Sequence, residues 1–458
     1  MAVSVLWLRR DLRIEDLPAL GAAAEAAAGG VVVPLFVLEA HLFEGCGAAR
    51  LAALREALVS VQESYEGRLC VRVGDAAQVV PEVVREAGAS SVHVSGESTP
   101  YGRVRGKRVL EALGEVPMVA TGTPYAVSPG RVRKKDGTPY KVFSSFHSAW
   151  LDCGWDRPFP VPRGLDLGHR LESDEYEGLL GDGDGPAGVA HPDGWLQRWR
   201  EFLQEGIAEY GDERDRPGVD GTSGMSEPLK FGLVHPRTLL ADVADCAAAG
   251  SEGARTFVKE LAWREFYADV LWHNPDSAWH DLGDGLAGME YADPQKDAVT
   301  AELFEAWKEG VTGYPIVDAG MRQLRATGWM HNRVRMITAS FLTKDLHVWW
   351  PYGARFFLEH LRDGDVASNN HGWQWVAGTG TDAAPYFRVF NPVRQGEKFD
   401  PDGSYVRQWV PELAHVSGGA VHMPWKAPDG YACGYPLPVV DHAQERVEAL
   451  RRYEAARR

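Results

Sequence analysis

Before about residue 130 the chain alternates short β-branched runs with Ala-, Glu- and Arg-rich stretches, and beyond Trp195 the strand-like runs give way to long helical segments. This change of period constrains the fold more than any other feature. Val3–Trp7, Val31–Val37, Ser91–Ser95 and Met118–Ala120 predict strands; the alanine tract from Leu20, Leu51–Ser60 and Val104–Leu113 predict helices. Alternating strand and helix give an α/β, doubly wound parallel-sheet domain at the N-terminus. The second part predicts an all-α C-terminal domain, in which Leu324–Leu346, with one Gly and no Pro, reads as one long helical segment. At 458 residues two domains are the natural division. We set them at 1–130 and 195–458, joined by a connector, 131–194, that includes the Gly/Asp-rich run Gly181-Asp182-Gly183-Asp184-Gly185-Pro186.

The turn after the first strand, Leu8-Arg9-Arg10-Asp11-Leu12-Arg13, has no glycine fingerprint, which disfavours a dinucleotide site there. A formal charge of -16 argues against broad nucleic-acid affinity. Charge is uneven, however: between 321 and 400 ten Lys/Arg stand against seven Asp/Glu, so a local basic face could still dock DNA. Cys46, Cys70, Cys153, Cys246 and Cys433 are scattered without paired spacing, so neither a metal nor a disulfide is expected. The N-terminus enters strand-like sequence directly, and no apolar run reaches the roughly 18–20 residues of a membrane span. The expectation is a cytoplasmic protein, without membrane contact and monomeric.

Sixteen tryptophans are more than packing usually requires, and several share sites with polar groups. Glu260, Trp263, Arg264 and Tyr267 fall at i, i+3, i+4 and i+7, hence on one helical face. The plain alternative is a half-buried helix with an Arg–Glu pair; the sharper reading is a flat aromatic-walled pocket with an acid, suited to a nucleobase. In Asp363–Trp375, Asn369 and Trp373 are four apart, whereas Trp373 and Trp375, two apart, point in nearly opposite directions. One indole could face a cofactor and the other a substrate. Gly221-Thr222-Ser223-Gly224-Met225-Ser226-Glu227-Pro228 places hydroxyls and glycines where a helix begins, which suits either a phosphate cradle or ordinary capping. Asn332, Arg335 and Met336 share a face, and His331 beside two arginines reads as a structural hydrogen-bonder rather than a general base.

These residues lie in longer stretches that resemble the photolyase/cryptochrome family: 263–267, 312–319, 328–333, 363–375, Thr379–Arg388, Phe390-Asn391-Pro392 and the N-terminal Arg9–Arg13. The resemblance spans essentially the whole chain and is nearest to class I enzymes of bacterial type, which split cyclobutane pyrimidine dimers. It implies FAD bound in the helical domain. Tyr210, Thr222, Ser223 and Ser226 would hold its phosphates and ribose. Arg264, Asn332, Arg335, Asp363, Asp365 and Asn369 would surround the ring and adenine, with Asn369 by the N5 edge. Photolyases are base-flipping enzymes as a class. Trp263 and Trp375 would line the pocket for the extruded dimer, Glu260 would hydrogen-bond its carbonyl edge, Asn332, Arg333 and Met336 would complete the contacts, and Arg214 and Arg388 would lie near phosphate.

The resemblance also implies that Trp373 and Trp350 form the first two steps of a tryptophan chain that reduces oxidised flavin. Ten residues before Trp307, where relatives place the third indole, stands Asp297; Tyr291, Trp279 or Trp349 are the substitutes at hand. The (6-4) repair enzymes carry histidines where this chain has Asn332 and Met336, and plant-type cryptochromes an aspartate at Asn369, so dimer repair is preferred over a signalling cryptochrome. A flavin electron-transfer protein unrelated to DNA is a third reading. Leu17 replaces a usual asparagine, and Gly224 a frequent arginine. Pro100-Tyr101-Gly102-Arg103 lacks the Asn-Glu pair that binds methenyltetrahydrofolate, so 8-hydroxy-5-deazaflavin is the favoured antenna chromophore, carried by residues 1–130.

Overall fold

The computed structural model describes residues 2–168, 171–181, 192–381 and 388–457. Most of the predicted Gly/Asp-rich run, and residues 382–387 of the Thr379–Arg388 motif, lie outside the described residues. The chain divides into two compact units, one of Met1–Tyr140, Ser144–Ala208 and Ser223–Pro275, the other of Lys141–Phe143, Glu209–Thr222 and Asp276–Arg458.

The first unit is built on five parallel strands in the order β3-β2-β1-β4-β5: β1 (Val3–Leu8), β2 (Val31–Leu38), β3 (Cys70–Val73), β4 (Ser91–Val94) and β5 (Met118–Ala120). Between them run α1 (Pro18–Ala27), α2 (Ala48–Ser64), α3 (Ala76–Ala87) and α4 (Pro100–Leu113). The central strands β1 and β2 are largely apolar on both faces because both are covered, as parallel sheets require. β4 turns Ser91 and His93 to one face, where they hydrogen-bond to each other at 3.0 Å. Leu6 and Leu8 of β1 pack in one layer with Leu20 of α1 and Leu54 and Leu58 of α2. Val5 and Trp7 pack in the other with Val80 and Val83 of α3 and Val109 of α4. β3 and α3 were absent from the sequence reading. β3 has four residues, and α3 carries Pro81 in its interior, which the usual breaker rule counts against a helix. At Leu17, the asparagine-to-leucine departure, α1 begins with no side-chain cap.

The same unit contains the short helix Ser226–Phe231 and α5 (Glu252–His273), capped by the Ser251 hydroxyl, which accepts from Ala254 N at 3.0 Å.

The second unit is helical. Its central elements are α6 (Pro315–Thr327), α7 (Asn332–Ser340), α8 (Trp350–His360) and α9 (Val366–Ala377), around a core that includes Trp307, Trp350, Phe357 and Trp373. The single helix expected over Leu324–Leu346 is corrected to two elements and a π-helical turn, Phe341–Asp345. Gly328 ends α6 at φ +69°, a left-handed conformation that suits glycine, and the His331 imidazole caps α7 by accepting from Arg333 N at 3.2 Å. No described helix is long and apolar enough to cross a membrane.

Candidate functional site

The expected stripe on α5 forms. Glu260, Trp263, Arg264 and Tyr267 are all half-exposed, while Leu261, Ala262, Glu265, Phe266, Ala268 and Asp269 on the rest of the turn are buried. Trp263 lies edge-on to Phe266 at 5.8 Å and tilted to Tyr267 at 5.4 Å between ring centroids, so its plane is braced from below. Arg264 donates to the carbonyls of Pro124 at 3.0 Å and Leu229 at 3.2 Å, and its guanidinium lies 4.6 Å from the Tyr125 ring.

Glu265 and Asp269 were not singled out in the sequence, yet they fix this helix. The fully buried Glu265 carboxylate accepts from Ala126 N at 2.5 Å, Val127 N at 3.0 Å and Trp150 Nε1 at 2.6 Å. Burial pushes its pKa up to about 7 despite those donors. Asp269 accepts from Gly130 N at 2.6 Å. Gly130 has φ +84°, and a Cβ there would lie 2.6 Å from the Trp272 indole nitrogen, so glycine is required. Thus α5 grips the segment 124–130 along its buried side and leaves the indole–carboxylate stripe outward.

In the segment before the short helix, Ser223 is buried, Thr222 half-buried and Ser226 exposed at the first helical position. Met225 N donates to Ser223 Oγ at 3.3 Å, and Gly224 adopts φ +73°. The positive φ explains glycine at 224, where an arginine would strain the turn.

In the second unit Arg335 donates from Nη2 to Asp363 Oδ2 at 2.9 Å and from Nε to Met330 O at 2.7 Å. Asp363 Oδ1 is buried with no hydrogen-bond partner. Asp365 caps α9, accepting from Ser368 N at 3.0 Å. Both amide hydrogens of Asn369 are spent, on Ala354 O at 3.1 Å and Asn370 Oδ1 at 2.8 Å, which leaves its oxygen as the acceptor.

The two indoles of α9 divide as expected: Trp373 is buried and Trp375 half-exposed. Trp373 meets Phe357 at 5.0 Å and Trp307 at 6.1 Å, both edge-on. Gly353 makes room for it, since a Cβ there would lie 2.2 Å from the Trp373 ring. Trp350 is fully buried and donates its indole N–H to Asp281 Oδ1 at 2.6 Å.

Asn332 is exposed at the start of α7, and Arg335 and Met336 beside it on that face are half-buried. Arg333 is paired to Asp215, through Nη2 at 2.8 Å and Nε at 3.2 Å, and stacks 4.4 Å from the Phe399 ring. Arg214 lies 5.8 Å from the ring of buried Tyr210, and Arg388 is exposed. Burial lowers His331 to about 4, so its neutral ring serves as the α7 cap, in line with the structural reading.

A third cluster lies at the C-terminal ends of β1, β2 and β4, where doubly wound sheets hold ligands. Arg105 bridges Glu39 at 2.6 Å and Glu97 at 2.8 Å, Arg9 pairs with Glu97 at 3.2 Å, and both guanidinium groups lie over Trp7, at 5.4 and 4.8 Å. Gly102 in the first turn of α4 is needed because a Cβ would strike the Glu97 carboxylate at 2.1 Å.

Comparison with known proteins covers most of the chain. Residues 4–163 match the family model described as DNA photolyase, and residues 257–455 that described as the FAD binding domain of DNA photolyase. The chain is 37% identical to the deoxyribodipyrimidine photo-lyase of Vibrio cholerae, over 99% of each chain. Among solved structures it is similar to a class III photolyase from Agrobacterium tumefaciens, with TM-score 0.89, 34% identity and coverage of 100% of this chain and 98% of that one. It is also similar to an archaeal photolyase from Sulfolobus tokodaii that holds two FAD molecules, with TM-score 0.83, 28% identity and coverage of 99% and 100%.

Proposed function

The chain belongs to the DNA photolyase family, and from that premise we propose that it uses light to split cyclobutane pyrimidine dimers in DNA. Its enzyme class is that of the deoxyribodipyrimidine photo-lyases, acting in DNA repair with FAD as cofactor. The observation that carries the finer reading is the α5 stripe, where a carboxylate, an indole and a guanidinium stay half-exposed above a fully buried base.

The residues fit a flavin. Asp363 Oδ1, buried without a partner, is an acceptor suited to the N–H or O–H donors of an isoalloxazine, adenine or ribose. Bound FAD, fully reduced and excited by light, would lend one electron to the dimer and recover it once the cyclobutane bonds have broken. Arg335, held by Asp363, would place a fixed positive charge beside the ring, and Asp365 and Asn332 would complete that wall. The Asn369 oxygen would accept from an N–H at the N5 edge, which favours the protonated, reduced ring. Tyr210, Thr222, Ser223 and Ser226 would hold the phosphates and ribose, and Arg264 would add donors beyond the two it gives to carbonyls.

Toward substrate, Trp263 and Trp375 would each offer a flat apolar face to an extruded base, and stacking of this kind contributes about 1–3 kcal/mol per base. Glu260 would hydrogen-bond the thymine carbonyl edge and steady the negative charge that arrives there. Asn332, Arg333 and Met336 would contact the dimer, and Arg214 and Arg388 the flanking phosphates. The ion-pair cluster at the strand ends of residues 1–130, with Tyr101 beside it, would hold an antenna chromophore, 8-hydroxy-5-deazaflavin in preference to methenyltetrahydrofolate.

The test is direct. Reduced protein, dimer-containing DNA and near-ultraviolet light should give loss of dimers that stops in the dark. Flavin fully bound with no light-dependent loss would refute repair and leave a photoreceptor. The absorption spectrum of the purified protein checks FAD and reports any antenna band.

A further inference from the structure

Trp350 is completely buried, and its one N–H points at Asp281 Oδ1, 2.6 Å away. The same oxygen also accepts from the neighbouring indole, Trp349 Nε1, at 3.4 Å. The two rings are 6.4 Å apart, nearly perpendicular, and Tyr291 lies 6.5 Å beyond Trp349. Trp349, Tyr291 and Asp281 are each half-exposed, so this series of side chains leads from the core to water. Burial, and then the Asp281 charge, raise the Tyr291 phenol above its usual range, which places that carboxylate within electrostatic reach of all three rings.

Trp150 Nε1 also donates to a carboxylate, Glu265 Oε2 at 2.6 Å, and Trp307 Nε1 to a backbone carbonyl, Thr338 O at 3.1 Å, but Asp281 Oδ1 serves two neighbouring indoles at once. Its chemistry differs from a carbonyl's in one respect: it can keep a proton. An indole that has lost an electron is a far stronger N–H acid than the neutral ring, of about carboxylic strength, so a carboxylate within hydrogen-bond reach is a matched acceptor for the proton.

We propose that Asp281 is the proton acceptor of an electron relay that runs outward through Trp350 and Trp349. The inference rests on the proposed flavin function and on the tryptophan chain that the family resemblance implies, Trp373 then Trp350, with oxidised flavin, once excited by light, as the one-electron oxidant. One electron leaves Trp350 inward, and its Nε1 proton passes to Asp281 Oδ1, giving a neutral indolyl radical and a carboxylic acid. Trp349 then refills Trp350: an electron moves in, the proton returns from Asp281 to Trp350, and the Trp349 proton takes its place on the same oxygen. Asp281 later releases that proton to solvent, and an external thiol supplies the electron and the proton that together restore the Trp349 indole. Loss of the proton stops the charge from running back, so Asp281 converts a reversible separation into a lasting one. Trp349, with Tyr291 beyond it, occupies the outer place that Asp297 cannot fill.

The experiment is flash photolysis of the holoprotein with oxidised flavin, reading the protonation state of the indole radical by transient absorption. In the unaltered protein the cation band should give way to the neutral-radical band in a step that slows in D2O. Asp281→Asn keeps an acceptor oxygen but cannot hold the proton, so the cation band should persist and the D2O effect should be lost, with Asp281→Glu restoring both. Trp349→Phe should shorten the radical's lifetime. Deprotonation with unchanged rate and D2O effect in Asp281→Asn would overturn the inference and leave the repair reading standing. A flavin-loaded, unaltered protein that forms no indole radical under light would overturn the relay as a whole, whereas failure to bind flavin would overturn the proposed function with it.

Discussion

Replacing Glu265 by glutamine should remove a pH dependence of stability that the fold builds into α5. Burial raises this carboxyl to about 7 from an ordinary 4.5. Between those values the folded protein keeps a proton that the unfolded chain has released. Stability linked to Glu265 is therefore fully present below pH 4.5 and falls as pH rises to about 7. At 1.36 kcal/mol per pH unit, that window is worth about 3 kcal/mol. Glutamine mimics the protonated form but turns one acceptor oxygen into a donor. One or two of the N–H groups of Ala126, Val127 and Trp150 then lose their partner, at about 1–3 kcal/mol each. The assay is urea unfolding of both proteins at pH 4.5, 6 and 8, taking the difference at each pH so that every other titrating group cancels. Glu265→Gln should be less stable by several kcal/mol at pH 4.5, and the gap should narrow by about 3 kcal/mol by pH 8. A gap that does not change with pH, or that widens, would refute the reasoning.

Trp263→Ala should weaken binding of dimer-containing DNA by roughly tenfold or more, from the lost stacking, while flavin stays bound; titration of labelled DNA checks it. Gly353→Ala puts a methyl group 2.2 Å from the Trp373 ring, so thermal melting should show a loss of about 1–3 kcal/mol, and flavin photoreduction should slow as the indole is displaced. Arg335→Ala leaves the buried Asp363 carboxylate without its cation; flavin retention on gel filtration should fall, and a charge-preserving Arg335→Lys should recover part of it.

The parts of the fold that were readable from sequence are those with a continuous pattern. β1, β2 and β5 are largely apolar runs, β4 has valine at every second position, and the α5 stripe falls at helical spacing whatever surrounds it. β3 was too short to give a period, and Pro81 masked α3. Gly328 was visible, but whether a glycine interrupts a helix depends on what its carbonyl meets, here Arg362 N at 2.8 Å. Glu265 sits in the Trp-Arg-Glu-Phe-Tyr stretch, yet its role comes from residues 115–139 positions away, which no local pattern encodes. Asp281 and Asp215 were missed for the same reason: the first matters through Trp349 and Trp350, and the second through Arg333.

The placement of Trp373 and Trp375 has a consequence for how this molecule can change. Because one unbroken helical turn carries both, neither can be re-aimed by a shift of its own: rotating the rod by one residue, about 100°, would drive the outer ring into the core and strand the inner one in water. Insertions and deletions within Val366–Ala377 are therefore closed to variation, and adjustment must come from the side chains that meet each ring.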